Sequence, residues 1–386
     1  MNSQLDYAPV LFLFGTLEIG GSETKFVRLA NRLRALGLPV HIAYLRPPAP
    51  LLEQIDAVPT INLEQSGKWS RRAYRNLSSY IRSHSIRSVI NVNLYPLAYS
   101  TPLASFRKGS EINNIASINT SEVRAGRDRA FMFLYARLLR CADKLVFGSS
   151  IQMDQWITGF KLPRQRSVVL YNGVDGQFFS PQAIATSRAE MREELGVPSG
   201  AHLIVSVSQF RPEKGHKNLL QAVGLLEKRH NMKPYVLLVG DGTERQAIVD
   251  CAAELQLDNR VIFSGAVQDV RPYLQASDLF VLPSTAVETF SNAALEAAAM
   301  GIPAVLSDLG GAREMFPEGS TGVIFERNSV DELADILADR VSGGQLTDEM
   351  KDVVRQEVLA RFDINSMTKK WISTIWPQSN PESVVS

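Results

Sequence analysis

Short, wholly apolar runs alternate along this chain with longer stretches in which apolar residues return every three or four positions. Val10–Phe14 (VLFLF) is apolar throughout, as a strand buried on both faces of a parallel sheet must be. After it, Gly15–Gly21 forms a loop. Phe26, Leu29, Ala30, Leu33 and Leu36 then recur at helical spacing until Gly37 stops the helix. Pro39–Leu45 is the next strand. The same reading predicts strands near Thr60–Leu63, Ser88–Leu94, Asn114–Ile118, Lys144–Gly148 and Ser167–Leu170. Helices are predicted near 70–83, 95–106 and 127–140.

The pattern breaks at Tyr171–Phe179 (YNGVDGQFF), which is rich in glycine, and at a polar connection over Pro181–Pro198. It then restarts. Strands are predicted at Leu203–Val207, Tyr235–Val239, Val261–Phe263, Leu279–Leu282, Ala304–Leu306 and Val323–Phe325, with helices between them. Helices near 330–340 and 347–362 follow, then one from Asn365 to Ile375 with Met367, Trp371 and Ile375 on one face. The alternation is that of a doubly wound α/β protein built twice. It divides the chain into an N-terminal domain at 1–178, a C-terminal domain at 179–363 and a last helix at 364–377. A polar tail, 378–386, is expected to be disordered.

Composition narrows the class. At 386 residues, with 45% hydrophobic and 21% charged residues, the chain suits two globular domains. Cys141 and Cys251 are its two cysteines, so no disulfide framework is expected and a cytoplasmic setting fits. The first apolar run lacks a basic flank and reads as a strand rather than a signal peptide. The net charge of +1 hides an asymmetry: residues 1–180 carry 22 Lys and Arg against 12 Asp and Glu, and the rest 19 against 28. A basic half of this kind suits an anionic partner such as a phospholipid surface or a phosphorylated acceptor, or else merely solvates one face. No motif that interleaves basic and aromatic residues speaks for nucleic acid.

Candidate chemistry lies on the loops after strands. Gly20-Gly21 precedes a helix, where backbone N–H groups favour an anion. Lys214, with Arg211 before it, follows a strand and offers cations to a diphosphate. The stretch Val287–Met300 (VETFSNAALEAAAM) carries Glu288 before a helix and Glu296 within it, with a capping turn at Phe290, Ser291 and Asn292 between them. Two carboxylates repel a diphosphate but accept hydrogen bonds from hydroxyls. A ligand with both a diphosphate and several hydroxyls is a nucleotide-sugar. A dinucleotide-dependent dehydrogenase is disfavoured, because neither glycine loop has the G-x-G-x-x-G order.

GGSE at Gly20–Glu23, YNGVDGQFF, FRPEKG at Phe210–Gly215, VGDG at Val239–Gly242, VETFSNAALEAAAMGIPAV at Val287–Val305 and GGARE at Gly310–Glu314 occur in that order. Together they resemble a family-4 retaining glycosyltransferase of the GT-B fold, over nearly the whole chain. The resemblance implies two Rossmann-like domains facing each other across a cleft, a last helix crossing back to the first domain, and a nucleotide-diphosphate sugar as donor. It implies sugar hydroxyls on Glu288, ribose hydroxyls on Glu296, and the diphosphate on Lys214 and the amides of Phe290, Ser291 and Asn292. The base is expected against the backbone at Val267, and phosphate or acceptor at Gly20 and Gly21.

Two positions depart from the family pattern. Gln209 stands where an arginine is usual, leaving Arg211 as the nearest cation, and Asn119 stands where a histidine often orients the sugar. The implied reaction transfers a hexosyl or N-acetylhexosaminyl unit with retention, needs no metal or cofactor, and uses a glycan or lipid-linked acceptor. The arginines at 71, 72, 75, 82, 124, 127 and 129 place that acceptor on the inner face of a membrane, with the protein bound peripherally. A nucleotide-sugar epimerase of the same fold, or a binding protein without activity, are the alternatives.

Overall fold

The computed structural model of the chain describes residues 7–105, 112–119 and 127–385, the side chains of residues 105 and 127–131 apart. It divides into two compact units, Met1–Asn172 with Asn365–Ser386, and Gly173–Ile364. The first unit holds seven parallel strands: β1 (Val10–Phe14), β2 (Val40–Tyr44), β3 (Thr60–Asn62), β4 (Ser88–Val92), β5 (Asn113–Ile118), β6 (Lys144–Phe147) and β7 (Ser167–Val169). They lie in the order β3-β2-β1-β4-β5-β6-β7. The second holds β8 (Leu203–Val207), β9 (Tyr235–Val239), β10 (Val261–Gly265), β11 (Leu279–Leu282), β12 (Ala304–Ser307) and β13 (Val323–Phe325), in the order β10-β9-β8-β11-β12-β13. Every strand pairing in both sheets is parallel, so each strand must be joined to the next by a crossover.

The apolar runs behave as their composition requires. β1, β4, β11 and β12 are buried along their whole length. Helices cover them with one apolar face each. The Gly21–Ala35 helix buries Phe26, Val27, Leu29, Ala30 and Leu33. In the second unit the His216–His230 helix contributes Leu219, Leu220, Val223 and Leu226 to a core that includes Val236, Leu238 and Val281.

The last helix, Ile364–Ile375, belongs by its contacts to the first unit. Its Trp371 is fully buried and meets the ring of Phe26 edge-on at 5.4 Å. The Arg32 guanidinium fixes its start, donating to Asn365 Oδ1 and to Thr368 Oγ1. A buried tryptophan removes roughly 200 Å² from water, an upper-bound gain of about 5 kcal/mol at ~25 cal/mol per Å².

Several expectations are corrected. The division falls at Asn172–Gly173, ahead of the expected break after Phe178. The reason is that the Val174 N–H already donates to the Phe362 carbonyl at 2.8 Å, and the Arg355 guanidinium gathers the carbonyls of Gly176, Phe179 and Ala299. The helix Ser150–Phe160 was not anticipated. The tail expected to be disordered carries a turn at Pro381–Ser383, with Val385 buried behind it. No helix among the described residues is long and apolar enough to cross a membrane.

Candidate active site

In the second unit the strand order reverses between β8 and β11. Loops leaving the carboxyl ends of these two strands diverge there, which is where a doubly wound sheet opens a crevice for a ligand. The two loops are tied together. The Thr285 N–H donates to the Glu213 carbonyl at 2.8 Å. Gly215 has φ 68°, and a Cβ on it would lie 2.0 Å from the Pro283 carbonyl oxygen, so no other residue allows this approach.

That approach joins two residues which stand far apart in sequence. Lys214 Nζ donates to Glu288 Oε2 at 2.8 Å, with side-chain exposures of 21% and 18%. The hydroxyl of buried Ser284 lies 3.4 Å from the same carboxylate oxygen. Ser284 is itself held by Ser307, whose Oγ donates to the Ser284 carbonyl at 2.7 Å. Just before Glu288, Val287 is held at φ 52°, a left-handed conformation that costs a β-branched residue about 1–3 kcal/mol. Behind it Gly310, at φ 58°, lies so close that a Cβ would be 2.2 Å from the Glu288 carbonyl oxygen. The Gly311 N–H donates to the Thr289 carbonyl at 2.7 Å. The turn carrying Glu288 is thus fixed from both sides.

The helix that follows runs from Asn292 to Ala299 and is capped by Ser291, whose Oγ accepts from the Ala294 N–H at 3.2 Å. The N–H groups at the head of a helix have no acceptor within it and carry the positive end of its dipole. Ser291 and Asn292 lie at that head. Phe290 differs in its side chain, which is buried edge-on against Phe362 at 5.2 Å and contributes to the core. Glu296 lies about one turn further along the same helix, half-buried.

The loop after β8 is less uniform. Gln209 is exposed. Arg211 is half exposed, and its guanidinium leans along its own loop to 4.0 Å from Glu213. Val267 follows the end of β10 and is half-buried. His216, which the sequence did not single out, starts the next helix and is 2% exposed. Its Nε2 lies 3.0 Å from Ser208 Oγ, and its ring meets Phe210 edge-on at 4.8 Å. Burial, helped by the Lys214 charge, pulls its pKa down to about 4.

Gly20, Gly21 and Asn119 belong to the first unit, whose strand order reverses between β1 and β4. Gly20 is extended (φ −152°) and precedes the Gly21–Ala35 helix. Space is open around Gly21. Asn119 follows β5 and donates from Nδ2 to Asn93 Oδ1 at 3.2 Å. Arg71, Arg72, Arg75 and Arg82 are exposed on the helix Arg71–Ser83, where Arg72 pairs with Glu64. Arg124 lies outside the described residues, as do the side chains of Arg127 and Arg129.

Residues 187–357 match the family described as "Glycosyl transferases group 1", and residues 19–178 match "Glycosyltransferase Family 4". The N-acetyl-alpha-D-glucosaminyl L-malate synthase of Bacillus anthracis is 28% identical over 52% of this chain and 51% of its own. The lipopolysaccharide core biosynthesis glycosyltransferase LpsE of Rhizobium meliloti is 27% identical over 48% of this chain and 52% of its own. The chain therefore spans about half the length of these curated relatives. Among solved structures, Anabaena Alr3699/HepE in complex with UDP and glucose is similar with a TM-score of 0.78 at 20% identity, over 95% of this chain and 99% of that one.

Proposed function

The chain belongs to the family-4, group 1 glycosyltransferases and has their GT-B fold, and from that premise we propose its reaction. It transfers a hexosyl or N-acetylhexosaminyl unit, with retention, from a nucleotide-diphosphate sugar to a glycan or lipid-linked acceptor. The observation that carries this reading is the Lys214–Glu288 pair at the β8/β11 crevice, beside a capped helix N-terminus. A cation and a carboxylate beside the N–H groups at a helix head match a ligand that is anionic at one end and hydroxylated at the other. The neighbour's complex with UDP and glucose, and the glucosaminyl and lipopolysaccharide-core names among its relatives, support the same class of donor and acceptor.

Without donor, Lys214 neutralises Glu288. When a nucleotide-sugar enters, its diphosphate takes the Lys214 ammonium and the N–H groups at Ser291 and Asn292. The Glu288 carboxylate is released to accept hydrogen bonds from the sugar hydroxyls. Glu296 takes the ribose hydroxyls, and the backbone at Val267 meets the base. As the bond from the anomeric carbon to the diphosphate oxygen lengthens, positive charge grows on the sugar ring and negative charge on the leaving group; the acceptor hydroxyl oxygen bonds to that carbon on the face the diphosphate leaves, and its proton passes to the departing diphosphate. Lys214, Arg211 and the helix N-terminus stabilise that negative charge, and the step invokes no metal or cofactor. Donor discrimination between uridine, guanosine and adenosine is left to backbone contacts.

The exposed arginines of the Arg71–Ser83 helix, with Trp69 62% exposed just before it, suit a peripheral position on the cytoplasmic face of an anionic membrane. Binding to phosphatidylglycerol vesicles that falls with salt, and falls again in a variant with Arg71, Arg75 and Arg82 neutralised, is the expected result. Binding indifferent to both would remove the membrane from the account.

The reaction is tested by screening UDP-, GDP- and ADP-sugars for thermal stabilisation, then measuring donor turnover with the sugar that stabilises most. Glu288→Ala and Lys214→Ala should each lower turnover about 100-fold or more while remaining folded. If both variants turn over donor at the wild-type rate, the site assignment fails.

A further inference from the structure

The first unit also carries a cavity of about 430 Å³, within the roughly 300–1,000 Å³ of small-molecule sites. It lies at the amino ends of the strands, the edge opposite the one from which the loops of Gly20 and Asn119 leave. Arg87 directly precedes β4, Asn113 opens β5 and Lys144 opens β6, and all three line it. Tyr7, ahead of β1, lines it too, with Trp376 and Pro377 from just after the last helix. The Trp376 indole N–H donates to the Ala8 carbonyl at 2.8 Å, and its ring meets Tyr7 edge-on at 5.2 Å. These contacts hold the segment after the last helix to the start of β1, so the cavity has fixed walls.

Its chemistry is that of an anion site beside an apolar wall. Among the lining residues Arg87 and Lys144 are charged and none is acidic. Neighbouring strands lie about 4.8 Å apart and β5 separates β4 from β6, so the two cations start within about 10 Å of each other along one edge. Lys144 is half-buried and forms no ion pair among the described residues. The Asp143 carboxylate beside it accepts from the Asn114 N–H at 2.7 Å and does not line the cavity. The last helix brings roughly half a negative charge at its carbonyl end, which two cations outweigh. The Tyr7 hydroxyl is buried and has no partner among the described residues. An unpaired buried donor is costly, and an acceptor oxygen in the cavity would relieve it.

We infer that this cavity is a second ligand site, for a soluble phosphate monoester with a small apolar body. The phosphate lies between Arg87 and Lys144, and the body rests against Trp376 and Pro377. A phosphate monoester carries about −1.5 to −2 charges near pH 7, which two cations match. The site stands apart from the proposed donor crevice, which belongs to the second unit, and does not depend on that reading.

The test titrates the full chain by calorimetry with phenyl phosphate, inorganic phosphate and benzyl alcohol. Wild type should bind phenyl phosphate at least tenfold more tightly than either smaller probe, because only phenyl phosphate uses both the cations and the apolar wall. Lys144→Gln should lose about tenfold in affinity for phenyl phosphate, the worth of a hydrogen bond to a charged group. Lys144→Arg keeps the charge and should retain most of the binding. Urea midpoints of both variants should match wild type, since Lys144 has no ion pair to lose among the described residues. Lys214→Ala should bind phenyl phosphate as wild type does.

A wild type that binds no phenyl phosphate overturns the inference and leaves the two cations as a balance for helix carbonyl ends. Binding that Lys144→Gln leaves unchanged overturns it as well. Loss in Lys214→Ala with none in Lys144→Gln would place the probe in the donor crevice instead. Vesicles containing phosphatidic acid separate the remaining source of a phosphate monoester. If they bind through Lys144 while phenyl phosphate does not bind, the cations serve a lipid surface and the soluble-ligand site is refuted.

Discussion

His216 offers a prediction whose size follows from the structure. The ring is 2% exposed, lies against Phe210, and holds Ser208 through Nε2 at 3.0 Å. Burial lowers its pKa from 6.5 to about 4, with the nearby Lys214 charge adding to the effect. The unfolded chain takes up a proton near 6.5 that the folded chain refuses until about 4. Stability is thus intact above the unfolded value and is lost as pH falls through the window between the two. Near pH 4.5 the loss from this one group should be about 2–3 kcal/mol. Glutamine places an amide close to the position of Nε2 but does not titrate. Urea unfolding of wild type and His216→Gln near neutral pH and near pH 4.5 isolates the effect from the many carboxylates that titrate in both proteins. The gap between the two should shift by about 2–3 kcal/mol in favour of the variant on acidification. A gap that does not change with pH would show that folded His216 takes up its proton as readily as in the unfolded chain, and the reading of it as a buried strut kept neutral beside Lys214 would be wrong.

Other consequences are equally direct. Gly215→Ala drives a Cβ into the Pro283 carbonyl, so it should cost about 2 kcal/mol or more in chemical denaturation and also abolish donor turnover by separating Lys214 from Glu288. Trp371→Ala should lower stability by about 3–5 kcal/mol, whereas Trp371→Phe should cost far less, because it keeps the apolar contact and removes a buried indole N–H that has no partner among the described residues. Ser284→Ala removes a hydroxyl 3.4 Å from Glu288 and should lower turnover by less than Glu288→Ala does, with no change in unfolding midpoint beyond about 1 kcal/mol.

How far the sequence revealed this molecule depends on how local each signal is. β1 and β11 were legible because a strand buried on both faces leaves an unbroken apolar run. The Ser150–Phe160 helix was not, since it buries only Gln152 and Trp156 and so shows no helical period. Glu288, Ser291 and the capped helix could be read together because they lie within one short stretch. The pairing of Glu288 with Lys214 could not, because it depends on Gly215 and Gly310 bringing distant loops into contact, and a glycine in sequence does not say what it approaches. Gly20 shows the same limit. As a sequence motif it read as a place for phosphate or acceptor, and the sequence does not say that a Cβ there would lie 2.7 Å from Glu23 Oε2. His216 and Asn93 carried no signal of their own. One is defined by its burial and the other by its backbone conformation and three side-chain partners.

The division of labour between the two glutamates of the second unit is central to the donor site, and calorimetry can test it on one protein. Wild type, Glu288→Ala and Glu296→Ala are each titrated with the stabilising nucleotide-sugar and with its parent nucleoside diphosphate. Glu296→Ala is predicted to weaken both ligands by about tenfold or more, because both contain the ribose. Glu288→Ala should weaken the nucleotide-sugar alone, with the nucleoside diphosphate bound as well as before or better once Lys214 is released. Equal losses for both ligands in Glu288→Ala, or no nucleotide-sugar bound by wild type, would contradict the assignment of this crevice to a nucleotide-sugar donor.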